Sequence, residues 1–146
     1  MKTTTTIKVG LAAMAILGFG LTAARAFADD SLYRDLGEKA GLVRIVDNLL
    51  EISLADERIK HSFDNTNIPR LKGLLVDQFC VLSGGPCTYK GRNMKKAHSA
   101  LHLTNMNFNA LVEDLQVAME RENVAFGTQN QLLALLAPMN RDVVTR

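Results

Sequence analysis

The chain has no tryptophan, and its 146 residues include only two tyrosines, six phenylalanines and two cysteines. It also lacks an HExxH pair, a cysteine-rich cluster and an Asp-rich loop, so the usual zinc and calcium centres are not indicated. No serine is framed by glycines and neither cysteine has an obvious histidine partner, which argues against serine and thiol hydrolases. Because no basic stripe with interleaved aromatics is present, a nucleic-acid partner is not expected.

The first 28 residues have the layout of a secretory signal peptide. Two lysines precede an apolar run that ends near Thr22, shorter than the roughly 20 residues of a membrane span. Cleavage after Ala28 or Ala26 fits the rule of small residues around the cut, and Ala28 is preferred. We therefore expect an exported, periplasmic protein without stable membrane insertion after cleavage, and the alternative is an uncleaved anchor.

Residues 29–146 are expected to form one domain. Removing 28 of 146 residues leaves 118, enough for a single core. The leader holds three of the 17 basic residues, so the remaining 14 face 15 acidic ones and the net charge changes from +2 to −1. The formal positive charge therefore belongs to the leader.

Apolar residues recur at helical spacing nearly everywhere, and no convincing alternation of strand type occurs. The pattern predicts an all-α domain in which Ser31 and Asp56 act as helix caps and Pro138 ends or kinks the last helix. The expected helical segments are 31–37, 41–55, 56–63, 69–83, 95–101, 105–122 and 128–144.

The stretch SGGPCTYKGRNMKKAH at 83–98 breaks a helix and then begins a short helical run. Cys80 and Cys87 could close a loop of about eight residues and stabilise by roughly 2.5 kcal/mol, or remain independent thiols. At helical spacing His98 points partly inward, whereas His61 and His102 look like surface residues. From periodicity alone, an inward histidine is more often a hydrogen-bonded core residue than a ligand.

A longer series of motifs carries a family resemblance. L-Y-x-x-L-G comes first, followed by L-A-D-x-R-I-x-x-x-F, T-N-x-x-R-L-K, GGPCTYKGRNMKKAH and finally LLAPM. Over residues 31 to about 145 the chain closely resembles a bacterial truncated haemoglobin of group I. That resemblance implies a two-over-two helical sandwich, in which helices B and E pack against helices G and H.

The resemblance also implies a site for haem b. His98 would be the proximal iron ligand, with its second ring N–H bonded to a carbonyl near Met94. No C-x-x-C-H motif is present, so the haem is expected to be non-covalent. Arg70 and Lys95 could reach the propionates or simply be solvated. Phe63 is expected against the porphyrin face. The apolar haem wall would comprise Leu50, Leu71, Leu75, Phe79, Met94, Leu101, Phe108, Leu111, Leu132 and Leu136. Each of these wall residues could also be an ordinary core residue.

The sequence departs from the family pattern on the distal side. Many members carry a tyrosine and a glutamine over the iron, where this chain has Leu50 and Leu75, and the other usual distal position is Leu71. A distal histidine ligand would correspond to Leu74, so internal bis-histidine ligation is not expected unless His61 moves in. A lost donor to bound dioxygen, worth about 1.5 to 3 kcal/mol, should speed oxygen release roughly ten- to a hundred-fold.

The helix A–B corner is the second departure, because Gly-Gly is replaced there by Gly37-Glu38. This change leaves the orientation of the first helix open.

The expected function is reversible binding of a diatomic gas, O2 in the family's usual description, with CO and NO as further ligands. Oxidation of nitric oxide to nitrate is the enzymatic alternative, and a haem-free helical interaction domain is the third hypothesis. The sequence identifies no reductase partner.

Overall fold

The computed structural model describes residues 29–146, and the expected signal peptide lies outside them. The described chain is helical and contains no strand, as the sequence pattern predicted. Its α-helices are α1 (Ser31–Asp35), α2 (Glu38–Ala55), α3 (Ile68–Leu82), α4 (Met94–His98), α5 (Asn105–Arg121), α6 (Phe126–Leu136) and α7 (Asn140–Val143). Single 3-10 turns form at Lys60–Phe63 and Ala137–Met139.

The core lies between α2 and the helices packed against it, α3 and α5, while α6 contacts both α3 and α5. α2 and α3 correspond to helices B and E, and α5 and α6 correspond to G and H. The largest fully buried side chains are aliphatic or sulfur-containing, as the scarcity of aromatics requires: Leu36, Leu42, Ile45, Val46, Leu49, Met119 and Leu132. This is the expected two-over-two helical sandwich.

The corner between α1 and α2 shows how the fold accommodates the missing second glycine. Gly37 takes φ +79° and Glu38 also takes a left-handed φ of +55°, a conformation that costs a non-glycine residue energy. A Cβ at Gly41 would collide with the Leu36 carbonyl, so the corner also needs that glycine. The first helix is nevertheless well placed, because Tyr33 is buried and its N–H donates to the Ser83 carbonyl at 3.1 Å.

The helix ends differ partly from the sequence expectations. Ser31 is not the cap of α1, because Asp29 Oδ1 accepts the Ser31 N–H at 3.1 Å and Ser31 lies within the helix. Asp56 ends α2 and accepts the Arg58 N–H at 2.8 Å. Pro69, where the segment 69–83 was expected to begin, lies in the first turn of α3, which Asn67 caps.

At the other end of the chain, a 3-10 turn that contains Pro138 separates α6 from α7, as a proline stop predicts. Within residues 29–146, no helix is both long and apolar enough to cross a bilayer.

Candidate functional site

The glycine pair after α3 is required by close packing. Gly84 has φ +85°, and a Cβ there would meet the Asp29 carbonyl of the segment that leads into α1. At Gly85, a Cβ would lie 2.6 Å from Cys80 Sγ and 2.6 Å from the Tyr33 ring. The Gly-Gly-Pro sequence therefore lets the chain leave α3 directly beneath the first helix.

A disulfide joins Cys80 of α3 to Cys87 of the following loop, with the two Cα atoms 5.9 Å apart. Cys80 is fully buried, whereas Cys87 is half-buried. The alternative of two independent thiols is thus not what the structure shows. The bridge ties the start of the loop to the end of the helix that carries Leu71 and Leu75.

α4 presents His98 with one ring nitrogen already engaged. Asn93 caps this short helix by accepting the Lys96 N–H at 2.8 Å. His98 Nδ1 lies 2.8 Å from the Met94 carbonyl oxygen, so the hydrogen bond expected from the sequence is present. Since a carbonyl only accepts, Nδ1 carries the proton and a neutral ring leaves Nε2 with a free lone pair. His98 therefore has the tautomer that a proximal haem ligand needs.

Much of the expected apolar wall forms one cluster. Leu50 and Phe79 are buried in the core, and Leu71, Leu75 and Leu111 are half-buried against it. From α6, Leu132 and Leu136 join the same cluster. Half-buried leucines on one face of α3 provide an apolar surface that fits a flat hydrophobic ligand.

Besides Met94, five other expected residues lie outside that cluster. Phe63 and Phe108 are half-buried, Leu101 is 42% exposed beyond the end of α4, and Arg70 is exposed. Lys95, the second propionate candidate, is exposed as well. Neither Arg70 nor Lys95 forms an ion pair with a carboxylate of the described chain.

Gln78 and Met139 were not identified from the sequence, yet they link the two sides of the site. Gln78 Nε2 lies 3.4 Å from Met94 Sδ and 3.5 Å from Met139 Sδ. These three residues line a groove between α3, α4 and α7. The spacing from Leu71 to Gln78, seven residues along α3, is the signal that could have placed Gln78 on the leucine face.

The residues expected on the distal side, Leu50, Leu71, Leu74 and Leu75, are buried or half-buried leucines and offer no hydrogen-bond donor. His61 lies in a 3-10 turn with 74% of its side chain exposed, and its Nδ1 is 3.3 Å from Asp64 Oδ2. It is directed to solvent in this structure.

A polar cluster fixes the far side of the core. Ser53 Oγ donates to Asp114 Oδ2 at 2.8 Å, and both residues are buried. Burial raises the pKa of the Asp114 carboxyl, and the negative charge of Asp56 raises it further. Arg58, by contrast, hydrogen-bonds Asp56 and lowers the pKa of that carboxyl. The cluster joins α2 to α5.

Comparison with known proteins identifies the family. The family model described as "Bacterial-like globin" matches residues 31–145. The chain belongs to this globin family, whose members bind haem, and within it to the group 1 truncated haemoglobins.

The relatives are similar over most of their length. A "Group 1 truncated hemoglobin" of Tetrahymena pyriformis is 31% identical over 78% of this chain and 94% of its own. Its Fe(III) crystal structure superposes with a TM-score of 0.76 at 30% identity, over 79% of this chain and 98% of that chain. The 2/2 hemoglobin of Synechococcus, solved in the cyanomet state with covalently attached heme, has a TM-score of 0.74 at 29% identity, over 79% and 98%.

Proposed function

We propose that this globin binds non-covalent haem b through His98 and reversibly binds a diatomic gas on an apolar distal side. The observation that carries the proposal is the His98 Nδ1 to Met94 carbonyl hydrogen bond, which leaves Nε2 available as a ligand on the short helix whose Met94 contacts Gln78 of α3. When bound, haem iron supplies the position at which O2, CO or NO binds.

Non-covalent attachment is supported by the side chains available. Both cysteines are consumed by the Cys80–Cys87 disulfide, and the described residues contain no free cysteine. His61 and His102 are exposed, so neither lies among the wall leucines. Retention of the haem would then rest on the His98 bond, on apolar burial and on charges such as Arg70 and Lys95 near the propionates.

Gas binding rather than turnover follows from the distal leucines. A hydrogen-bond donor would hold dioxygen for longer, and Leu50, Leu71 and Leu75 offer none. Nitric oxide oxidation remains the second candidate function in this family setting. Rapid mixing of the oxygenated protein with NO tests it, because slow formation of ferric haem and nitrate would count against that activity.

Titration of the purified mature chain with haemin tests the main proposal. We expect a Soret band that saturates at one haem per chain. In His98→Ala the position of this band should change, because the iron loses its protein ligand. His102→Ala, an exposed histidine four residues away, is the matched control and should behave as wild type. A wild-type chain that takes up no haem would leave a haem-free helical domain as the better description.

We further propose that residues 1–28 direct export to the periplasm and are then removed. The apolar run and the small residues at Ala26 and Ala28 support this proposal. Expression in a bacterial host, followed by fractionation and mass measurement of the product, tests it. A full-length product in the cytoplasmic fraction would contradict it.

A further inference from the structure

Acidic residues are distributed very unevenly along the mature chain. Residues 78–112 contain no Asp or Glu, yet they include Lys90, Arg92, Lys95 and Lys96. The rest of the chain, 29–77 and 113–146, holds all 15 acidic residues against ten basic ones. A segment of charge +4 is thus set into a domain whose other parts sum to −5, and the positive segment contains His98.

Four cations lie within the seven residues 90–96, and we call them the basic rim: Lys90, Arg92, Lys95 and Lys96. All four are exposed, and the Tyr89 hydroxyl donates to the Arg92 carbonyl at 2.9 Å, which folds Lys90 and Arg92 into one tight turn before α4. Lys95 and Lys96 follow within α4 itself.

None of these cations is neutralised within the described chain. Every ion pair there involves residues outside 78–112. The acidic residue nearest in the groove is Asp142 of α7, which lines it with Asn93 and Met94 and forms no ion pair. The basic rim therefore presents an unpaired positive field to solvent, of the kind that steers an oppositely charged partner.

We propose that the basic rim docks an acidic electron-donor protein, which returns the ferric form of this globin to the ferrous form. The inference rests on the proposed haem function, since reversible oxygen binding requires ferrous haem. One electron leaves the donor's cofactor and enters ferric haem, and no atom or proton changes place. Docking on α4 would bring the donor to the helix that holds His98.

A protein partner fits the rim better than a lipid surface does. A helix that lies on a membrane needs an apolar face beside its charges. α4 spans five residues, and its exposed members are Lys95, Lys96 and Ala97. Within α4, the charges therefore have no broad apolar face to accompany them.

Binding of a probe protein tests the proposal directly. The probe is an oxidised [2Fe–2S] ferredoxin with a strongly acidic surface, titrated into the CO-bound globin by calorimetry and amide NMR. We expect shifts confined to residues about Lys90 to Lys96, and at least a tenfold weakening of affinity between about 20 and 200 mM salt.

Charge-reversal variants test the role of the basic rim. Lys95 is left unchanged because it is a candidate partner of the haem propionates. Lys90→Glu/Lys96→Glu should weaken the affinity for the probe about tenfold or more. The rate at which the reduced probe reduces the ferric globin should fall by a similar factor. Lys39→Glu, an exposed unpaired lysine on α2, should change both by less than about twofold. The Soret and CO-bound spectra must be unchanged in all variants, so that a failure of haem binding is seen separately.

Three outcomes would overturn the proposal. The first is equal probe affinity in wild type and in Lys90→Glu/Lys96→Glu, and the second is an equal loss in Lys39→Glu. The third is recruitment to phosphatidylglycerol vesicles that depends on Lys90 and Lys96 without any binding of ferredoxin, which would make the rim a membrane surface.

Discussion

The core around α2 and α5 and the segment around α4 are held in contrasting ways. α2 buries Leu42, Ile45 and Leu49, and α5 is attached to it by the Ser53–Asp114 hydrogen bond. α4 buries no residue completely and is one turn long. It depends instead on its packing against α7 and on a few individual ties: the disulfide, the Asn93 cap and the contacts of Met94.

The difference indicates a division of labour. Aliphatic burial over long helices supplies most of the stability of a small domain. An isolated helix of five residues is not stable alone, so the position of His98 depends on its neighbours. Changes in the core should therefore alter unfolding, and changes near α4 should alter haem retention.

Truncation of a core side chain should have the largest effect. Leu49 is 1% exposed, so Leu49→Ala should lower the free energy of unfolding by about 2–5 kcal/mol. Met94→Ala, at a half-buried position beside His98, should cost less stability and instead speed haem loss. Urea unfolding of the apoprotein and haem transfer to an apoglobin scavenger measure the two quantities. If Leu49→Ala and Met94→Ala changed the free energy of unfolding and the rate of haem loss equally, the contrast between the core and α4 would be contradicted.

Removal of the disulfide should affect both regions. Cys80→Ser/Cys87→Ser should lower the free energy of unfolding by about 2.5 kcal/mol in the chain-entropy model, and should speed haem loss because the loop before α4 is released. Wild type treated with reductant is the control and should behave in the same way. An unchanged haem-loss rate would mean that α4 is positioned without the bridge.

A donor placed on the distal side should restore oxygen retention. Leu75→Gln is expected to slow oxygen release roughly ten- to a hundred-fold, equivalent to about 1.5 to 3 kcal/mol. Leu74→Gln, one residue away on α3 and also half-buried, is the matched control with a smaller expected effect. Flash photolysis and stopped-flow mixing give the rates. A larger effect in Leu74→Gln would show that the neighbouring position faces the gas.

The Asp114 carboxyl makes core stability depend on pH. Its pKa is raised in the folded protein, so folding favours the protonated form, and the free energy of unfolding falls as pH rises from the usual value of 3.8 through the folded pKa. Asp114→Asn keeps an acceptor for Ser53 and should flatten stability in this range. The pKa of Asp56 is lowered, so its contribution to the free energy of unfolding is lost as pH falls below 3.8. The effects of Asp114 and Asp56 therefore lie in different pH ranges. Denaturation at a series of pH values measures both.

The helix A–B corner should show the smallest effect. Glu38→Gly should remove the strain of a left-handed φ, about 1–2 kcal/mol, but glycine also adds conformational freedom to the unfolded chain. The free energy of unfolding should therefore rise by about 0.5–1 kcal/mol. Lys39→Gly, at the next residue inside α2, should instead destabilise by about 1 kcal/mol. Thermal unfolding of both variants checks the opposite signs.

Helix periodicity and the GGP break were enough to predict an all-α domain and most of its helices, whereas the two-over-two packing was implied by the resemblance to truncated haemoglobins. The same resemblance placed Leu71 and Leu75 in the apolar haem wall, and the need of a proximal histidine for a second hydrogen-bond partner predicted the Met94 carbonyl at His98. Gln78 was missed because a polar side chain on an apolar face carries no hydrophobic signal. The sequence left the choice between a Cys80–Cys87 disulfide and two thiols undecided, because spacing does not give the direction of the Cβ atoms. The Ser31 cap was wrong because α1 begins one residue earlier than expected, with Asp30 at the N-cap position and Ser31 inside the helix.

The absorption spectrum of the ferrous, gas-free protein tests the central claim most directly. With His98 as the one protein ligand and leucines opposite, we expect the broad visible band of five-coordinate high-spin haem, converting fully on addition of CO. Sharp, split bands of six-coordinate low-spin haem before any gas is added would contradict the account.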